Sequence, residues 1–153
     1  MNEVPKSLIG MSGKYLAAAL LNREGLVCEI GGDGYDILVP MTRPIRNWKI
    51  LVTANLRPKK AGGKGKEALD WWVPTSNGAD YIACVDLDTL RVWLFRRAEF
   101  VRFSQQQAGG KYHLYMYTNK AVALRGKKTM KFDYEFEPFR LENRVCRGVF
   151  DRE

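Results

Sequence analysis

The chain is poor in the residues that usually carry covalent or zinc chemistry: one histidine, His113, and three cysteines, Cys28, Cys84 and Cys146, among 153 residues. The cysteines are widely separated, odd in number and joined by no CxxC or CxxH spacing, which argues against zinc and leaves plain core thiols. A serine or cysteine hydrolase needs a base beside its nucleophile, and His113 is the one imidazole on offer. The alternation Lys111-Tyr112-His113-Leu114-Tyr115 reads as a strand with a surface histidine, so covalent catalysis gains little support. No run approaches the ~18 consecutive apolar residues of a membrane span. The opening MNEVPKSLIG lacks the basic-then-apolar layout of a secretory signal, so the expected location is cytoplasmic. No internal repeat is apparent.

Acids are missing from two long stretches. Between Ile37 and Lys66 there is none, while Arg43, Arg46, Lys49, Arg57, Lys59, Lys60, Lys64 and Lys66 all fall there. A second acid-free stretch runs from Val101 to Phe132 and holds Lys111, Lys120, Arg125, Lys127, Lys128 and Lys131. A charge run is usually a solvated face. Two such stretches, in a chain with 25 basic and 17 acidic residues, point further, to a polyanionic partner whose phosphates release counterions when neutralised. A polyanion is the expected partner, and the eight cations between residues 37 and 66 are its expected contacts.

An apolar share of 46% is enough to fill the core of one domain of this length. A helix is expected from Ser12 to Arg23, capped by Ser12, ended by Gly25, with Leu16, Ala19, Leu20 and Arg23 on one face. Leu26 to Ile30 and Tyr35 to Val39 read as a hairpin around Gly31-Gly32-Asp33-Gly34, stopped by Pro40 and Pro44; Trp48 to Thr53 is a third strand. Arg57 to Lys66 has no apolar periodicity and reads as a mobile basic loop. Leu69 to Pro74 is an apolar island. Ala79 to Val85 and Leu90 to Phe95 are strands around the turn-forming acids Asp86 and Asp88. Ala98 to Gln107 reads as a helix, Tyr112 to Tyr117 as a strand, and the aromatic–acid alternation from Phe132 to Phe139 as strand-like. Trp71, Trp72 and Phe136 look like exposed aromatics able to seal an interface.

Asp36, an acid in an otherwise apolar strand, is the residue that needs explaining, because burying it is costly without a metal, a donor or a partner charge. Strand alternation places Lys49, Leu51, Thr53 and Asn55 on one face, with Lys49 in reach of a phosphate. A two- or four-residue turn would set Glu29 opposite Asp36 as a carboxylate pair, whereas a three-residue turn with a bulge would turn Glu29 to the other face.

Three stretches in this order carry a resemblance: Gly13 to Leu26, Gly34-Tyr35-Asp36-Ile37-Leu38, and Ile50-Leu51-Val52-Thr53-Ala54. Together they resemble the PD-(D/E)XK nuclease superfamily, particularly its small group I intron-associated and restriction-type members. The resemblance covers about residues 10–100 of a single 1–153 domain, with a C-terminal extension from 110. It implies an α/β (α+β) fold: a mixed sheet with a hairpin and third strand, flanked by helices. It also implies metal-dependent phosphodiester hydrolysis and a homo-oligomer. The family's helical glutamate falls on Lys14, the Glu/Gln of the third strand on Leu51 and the catalytic lysine on Thr53; only Asp36 survives. With that resemblance the expectation is a protein that binds nucleic acid, double-stranded DNA in particular, on a nuclease-like fold with a degenerate site, no metal and no cofactor, in which Lys14 pairs with Asp36. The alternatives are an active Mg²⁺-dependent endonuclease relocated to Asp36 and Glu29, and a nuclease-derived interaction or inhibitor protein.

Overall fold

The computed structural model describes residues 3–60, 65–122 and 130–150. Lys64, Arg125, Lys127 and Lys128 lie outside them. Helix α1 (Lys6–Arg23) is followed by β1 (Glu29–Ile30), β2 (Ile37–Thr42), β3 (Ile45–Asn55), β4 (Ala68–Pro74), β5 (Tyr81–Asp86) and β6 (Arg91–Arg96). Then come α2 (Arg97–Phe103), β7 (Gln106–Ala108), β8 (Lys111–Tyr117), a 3-10 helix (Asp133–Phe139) and α3 (Leu141–Cys146).

Two sheets form. The larger has the order β1-β2-β3-β5-β6 and is mixed: β3 and β5 run parallel, the other pairs antiparallel. The smaller, β4-β8-β7, is antiparallel. Strand alternation explains how they stack. On β5, Tyr81, Ala83 and Val85 enter one core with Ala17, Leu21, Ile50 and Leu141, while Ile82 and Cys84 enter a second with Leu69, Trp71, Val73, Leu114 and Phe136. All six residues of β5 are buried, as expected of a central strand covered on both faces. Helices α1 and α3 cover one face of the large sheet; the small sheet, α2 and the 3-10 helix cover the other. The residues after 110 therefore complete the second core.

Several expectations need correction. Helix α1 begins at Lys6 after Pro5, so Ser12 lies inside it, and its buried positions are Gly13, Ala17, Ala18 and Leu21. Gly13 sets this face by letting the helix approach β3: a Cβ there would lie 2.6 Å from that of Ala54. Pro40 does not stop β2 but pairs with Asn47 inside it. Because β1 covers only Ile37 and Leu38, the outer edge at Pro40 is free, where a strand tolerates proline. Helix α2 ends at Phe103, and Gln106 to Ala108 forms a strand that turns through Gly109 and Gly110 into β8. The aromatic–acid stretch is a 3-10 helix that buries Phe136. Trp71 and Phe136 are fully buried, and only Trp72 of the three aromatics is exposed. Cys84 is buried and Cys28 half-buried, but Cys146 is exposed and is not a core thiol.

Candidate functional site

The loop before β2 is built by glycine. Gly31, Gly32 and Gly34 have φ of 111°, 140° and 78°, in the left-handed half of the map where L side chains are strained. Gly31 N–H donates to Asp36 O at 2.9 Å, closing a six-residue loop. It is this loop that shifts the hairpin register: Ile30 pairs with Ile37 and Glu29 with Leu38, so Glu29 and Asp36 are not opposed. Glu29 is exposed, and the cross-strand carboxylate pair does not form.

Asp36 stands where the β2–β3 ladder ends. Its N–H donates to Ile50 O at 2.9 Å, and Val52 N–H, which no residue of β2 reaches, donates 2.7 Å to Asp36 Oδ2. Lys14 Nζ, from α1, lies 3.2 Å from Oδ1. The carboxylate thus replaces a missing strand partner on one side and docks the helix on the other. Continuing the ladder by one residue sets Asp36 opposite Leu51, which is half-buried against the second core. Thr53, two residues on, is half-buried as well. Among the described residues no group of three His, Cys, Asp or Glu side chains is placed to hold a metal ion.

The basic residues divide into tethered and open ones. Arg46 lies 4.0 Å over the Trp48 ring and 4.0 Å from Asp80 Oδ1, and Lys49 lies 5.5 Å over the Tyr35 ring. Arg43, in the β2–β3 turn, and Arg57, Lys60 and Lys66 are exposed. Lys59 departs from the mobile-loop expectation: its backbone pairs with Ala68, and its Nζ lies 3.1 Å from Asp70 Oδ1.

Lys59 leads to a cluster that strand patterning alone did not single out. On the outer face of the small sheet, Asp70 stands opposite Tyr115 and Trp72 opposite His113, with Gln106 beyond. His113 is buried rather than on the surface. Its Nε2 lies 3.3 Å from Asp70 Oδ2 without forming an aligned hydrogen bond, and its Nδ1 lies 3.4 Å from Gln106 Oε1. Trp72 stacks flat on the imidazole, rings 3.9 Å apart and 4° from parallel. Burial holds the His113 pKa below its ordinary value; Asp70 pulls it up and Lys59 pushes it down. Next along the sheet, Lys131 Nζ lies 3.1 Å from Tyr115 Oη, and Lys120 sits over Tyr134. The two acid-free stretches therefore meet on one face, Lys59 arriving from the first and Lys120 and Lys131 from the second. The signal was present in the alternation: Asp70 and Trp72 share one parity in β4, His113 and Tyr115 share one in β8, and the antiparallel pairing faces them the same way.

The smaller sheet is tied to β3 by a side chain acting as a strand. Buried Asn55 donates from Nδ2 to Asp70 O at 2.6 Å and accepts Asp70 N–H at Oδ1 at 2.8 Å. The chain from Asn55 to Lys59 therefore runs along the edge of β4 that β8 leaves unpaired.

No family model matches this chain, and no curated protein matches it. Among solved structures it is similar to a bacterial homing endonuclease, I-Ssp6803I, with a TM-score of 0.58 over 96% of this chain and 97% of that one, at 12% identity. A likeness at that identity is one of fold, and it extends through the C-terminal third: the chain has a mixed α+β, nuclease-like fold. No helix among the described residues is long and apolar enough to cross a membrane.

Proposed function

We propose that this protein binds nucleic acid, duplex DNA included, on a PD-(D/E)XK-type core whose metal site has been lost. The observation that carries the second half is the engagement of Asp36: one oxygen faces the Lys14 ammonium at 3.2 Å and the other accepts Val52 N–H at 2.7 Å. A divalent ion needs several oxygen ligands. An ammonium group beside the one surviving acid, with Leu51 opposite it, does not fit such an ion, and no hydrolytic step is assigned to these residues. The relocated alternative needs Glu29 beside Asp36, and the register sets Glu29 opposite Leu38 instead.

Support for binding comes from the convergence of both acid-free stretches on the outer face of the small sheet, together with the fold shared with a homing endonuclease. Arg57, Lys59, Lys60, Lys64 and Lys66 are assigned to phosphate contact, with Arg43 and Lys49, toward the other end of β3, as further contacts and Arg46, tied to Asp80, in support. The test is DNA-binding affinity against salt concentration. Changing Lys59, Lys60, Lys64 and Lys66 together to Ala is expected to weaken binding and flatten the log–log salt slope by roughly one unit per lost contact. An unchanged affinity and slope would remove this segment from the interface.

A homo-oligomer is part of the proposal, carried by a different surface from the aromatics named above. Leu8, Met11 and Tyr15 are 51%, 49% and 58% exposed and follow one another at the spacing of a coiled-coil seam along α1, with Val4 just before it.

A further inference from the structure

All four tryptophans lie among the described residues, and three of them, Trp48, Trp71 and Trp93, are 6%, 0% and 0% exposed. Trp72 is 40% exposed. It is not a loose surface ring, because His113 lies against one of its faces and is itself held between Asp70 and Gln106. Since His113 comes from β8, the uncovered face of the indole turns the other way, toward the unpaired edge of β4. Along that edge runs the segment that reaches Lys59, anchored by the Asn55 amide and by the Lys59–Ala68 bridge. Arg57 and Lys60 are exposed on that segment, toward the Ala68 end of β4, and no acid occurs between residues 37 and 66.

A rigid aromatic face beside a strip of cations recognises a flat ring joined to a phosphate. Resting on the nucleic-acid reading above, we propose that Trp72 stacks on an unpaired base of the bound strand, with Arg57 and Lys60 taking phosphates farther along the same strand, past Ala68. His113 and Asp70 are positioning residues beneath it. In an intact duplex each base already has stacking partners on both sides, so the ring selects nucleic acid with a bulged, mismatched or single-stranded base. The cations give affinity without discriminating among strands, and the indole supplies the discrimination.

The burial of the other three tryptophans makes the test direct, because intrinsic fluorescence reports Trp72 almost alone among accessible indoles. Dye-labelled oligonucleotides would be followed by anisotropy and by tryptophan emission: a perfect duplex, the same duplex with a one-base bulge, and the single strand. The bulged and single-stranded forms are expected to quench the emission and to bind more tightly than the perfect duplex. Trp72→Ala should abolish the quenching and weaken binding of those two forms about tenfold, with the salt slope unchanged. Trp72→Phe should retain most of the affinity, which separates stacking from misfolding. A rise in anisotropy without quenching, or equal affinity of all three forms for the unmodified protein and Trp72→Ala, overturns the stacking site and leaves nucleic-acid binding standing. No rise in anisotropy with any of the three removes both.

Discussion

Asp36 shows how one side chain can be read two ways from sequence and one way from geometry. Its pairing with Lys14 was legible through the resemblance, which sets Lys14 at the helical site position that faces Asp36. Its second task, capping Val52 N–H just before β2 begins, was not legible, since it depends on where the ladder stops. The two tasks differ in worth. The Lys14 side chain is 39% exposed, so the ion pair contributes at most about 1 kcal/mol. Leaving Val52 N–H without its acceptor costs about 1–3 kcal/mol. Asp36→Ala is therefore expected to lower stability by about 1–4 kcal/mol in chemical denaturation and Lys14→Met by much less, with DNA affinity per folded molecule nearly unchanged in both. Equal losses from the two variants would contradict this division.

His113 carries a pH dependence whose sign follows from its surroundings. Burial is the largest influence and lowers its pKa; Asp70 opposes this and Lys59 reinforces it, and the remaining neighbours are the Gln106 amide and the rings of Trp72 and Tyr115. The folded state prefers the neutral ring more than the unfolded chain does. Its contribution is complete above the ordinary value of 6.5 and is lost as pH falls toward the lowered folded value. Thermal unfolding between pH 7.5 and 5 should show a decline that His113→Gln partly removes. A decline identical in the variant would place its origin elsewhere.

At the scale of elements, the helix-then-hairpin order and the central strands were readable because their apolar runs are long and β5 and β6 are covered on both faces. The elements misread are those decided by contacts the local pattern does not contain. The face of α1 was misassigned because Gly13, not a large apolar residue, makes the closest approach. The hairpin register follows neither of the two turns the sequence left open, because three glycines lengthen the loop. Gly13→Ala tests the first point. Alanine gains about 1 kcal/mol in helix propensity, but its Cβ meets Ala54 Cβ at 2.6 Å, and such overpacking costs about 1–3 kcal/mol. The expected result is a net loss that Ala54→Gly in the same chain largely reverses; a stabilised single variant would show that the helix can simply lift. The exposed Leu8, Met11 and Tyr15 of the same helix give the matching surface prediction. Light scattering should find an oligomer at micromolar concentration, and Leu8→Glu with Met11→Glu should reduce it to monomer. An unmodified chain that is already monomeric contradicts self-association.

For the whole molecule, charge placement was legible and its geometry was not. Two acid-free stretches separated by a hundred-odd ångströms of extended chain come together only because β4 and β8 pair, and neither stretch announces that partnership. Asp70 escaped notice, and Trp72 and His113 were named without being brought together, for the same reason: they form a site only across two strands. The nuclease-like architecture, by contrast, was readable from three short motifs in order, even with three of the four resembled site positions changed to Lys14, Leu51 and Thr53.

The central claim, binding without cutting, is tested most directly by one agarose gel of supercoiled plasmid titrated with the protein in Mg²⁺ or Mn²⁺, run before and after protein removal. The account predicts retarded plasmid before removal, weakened by added salt, and intact supercoiled plasmid after it. Nicked or linear product that requires the metal, and that Asp36→Asn abolishes, would contradict it and return Asp36 to catalysis.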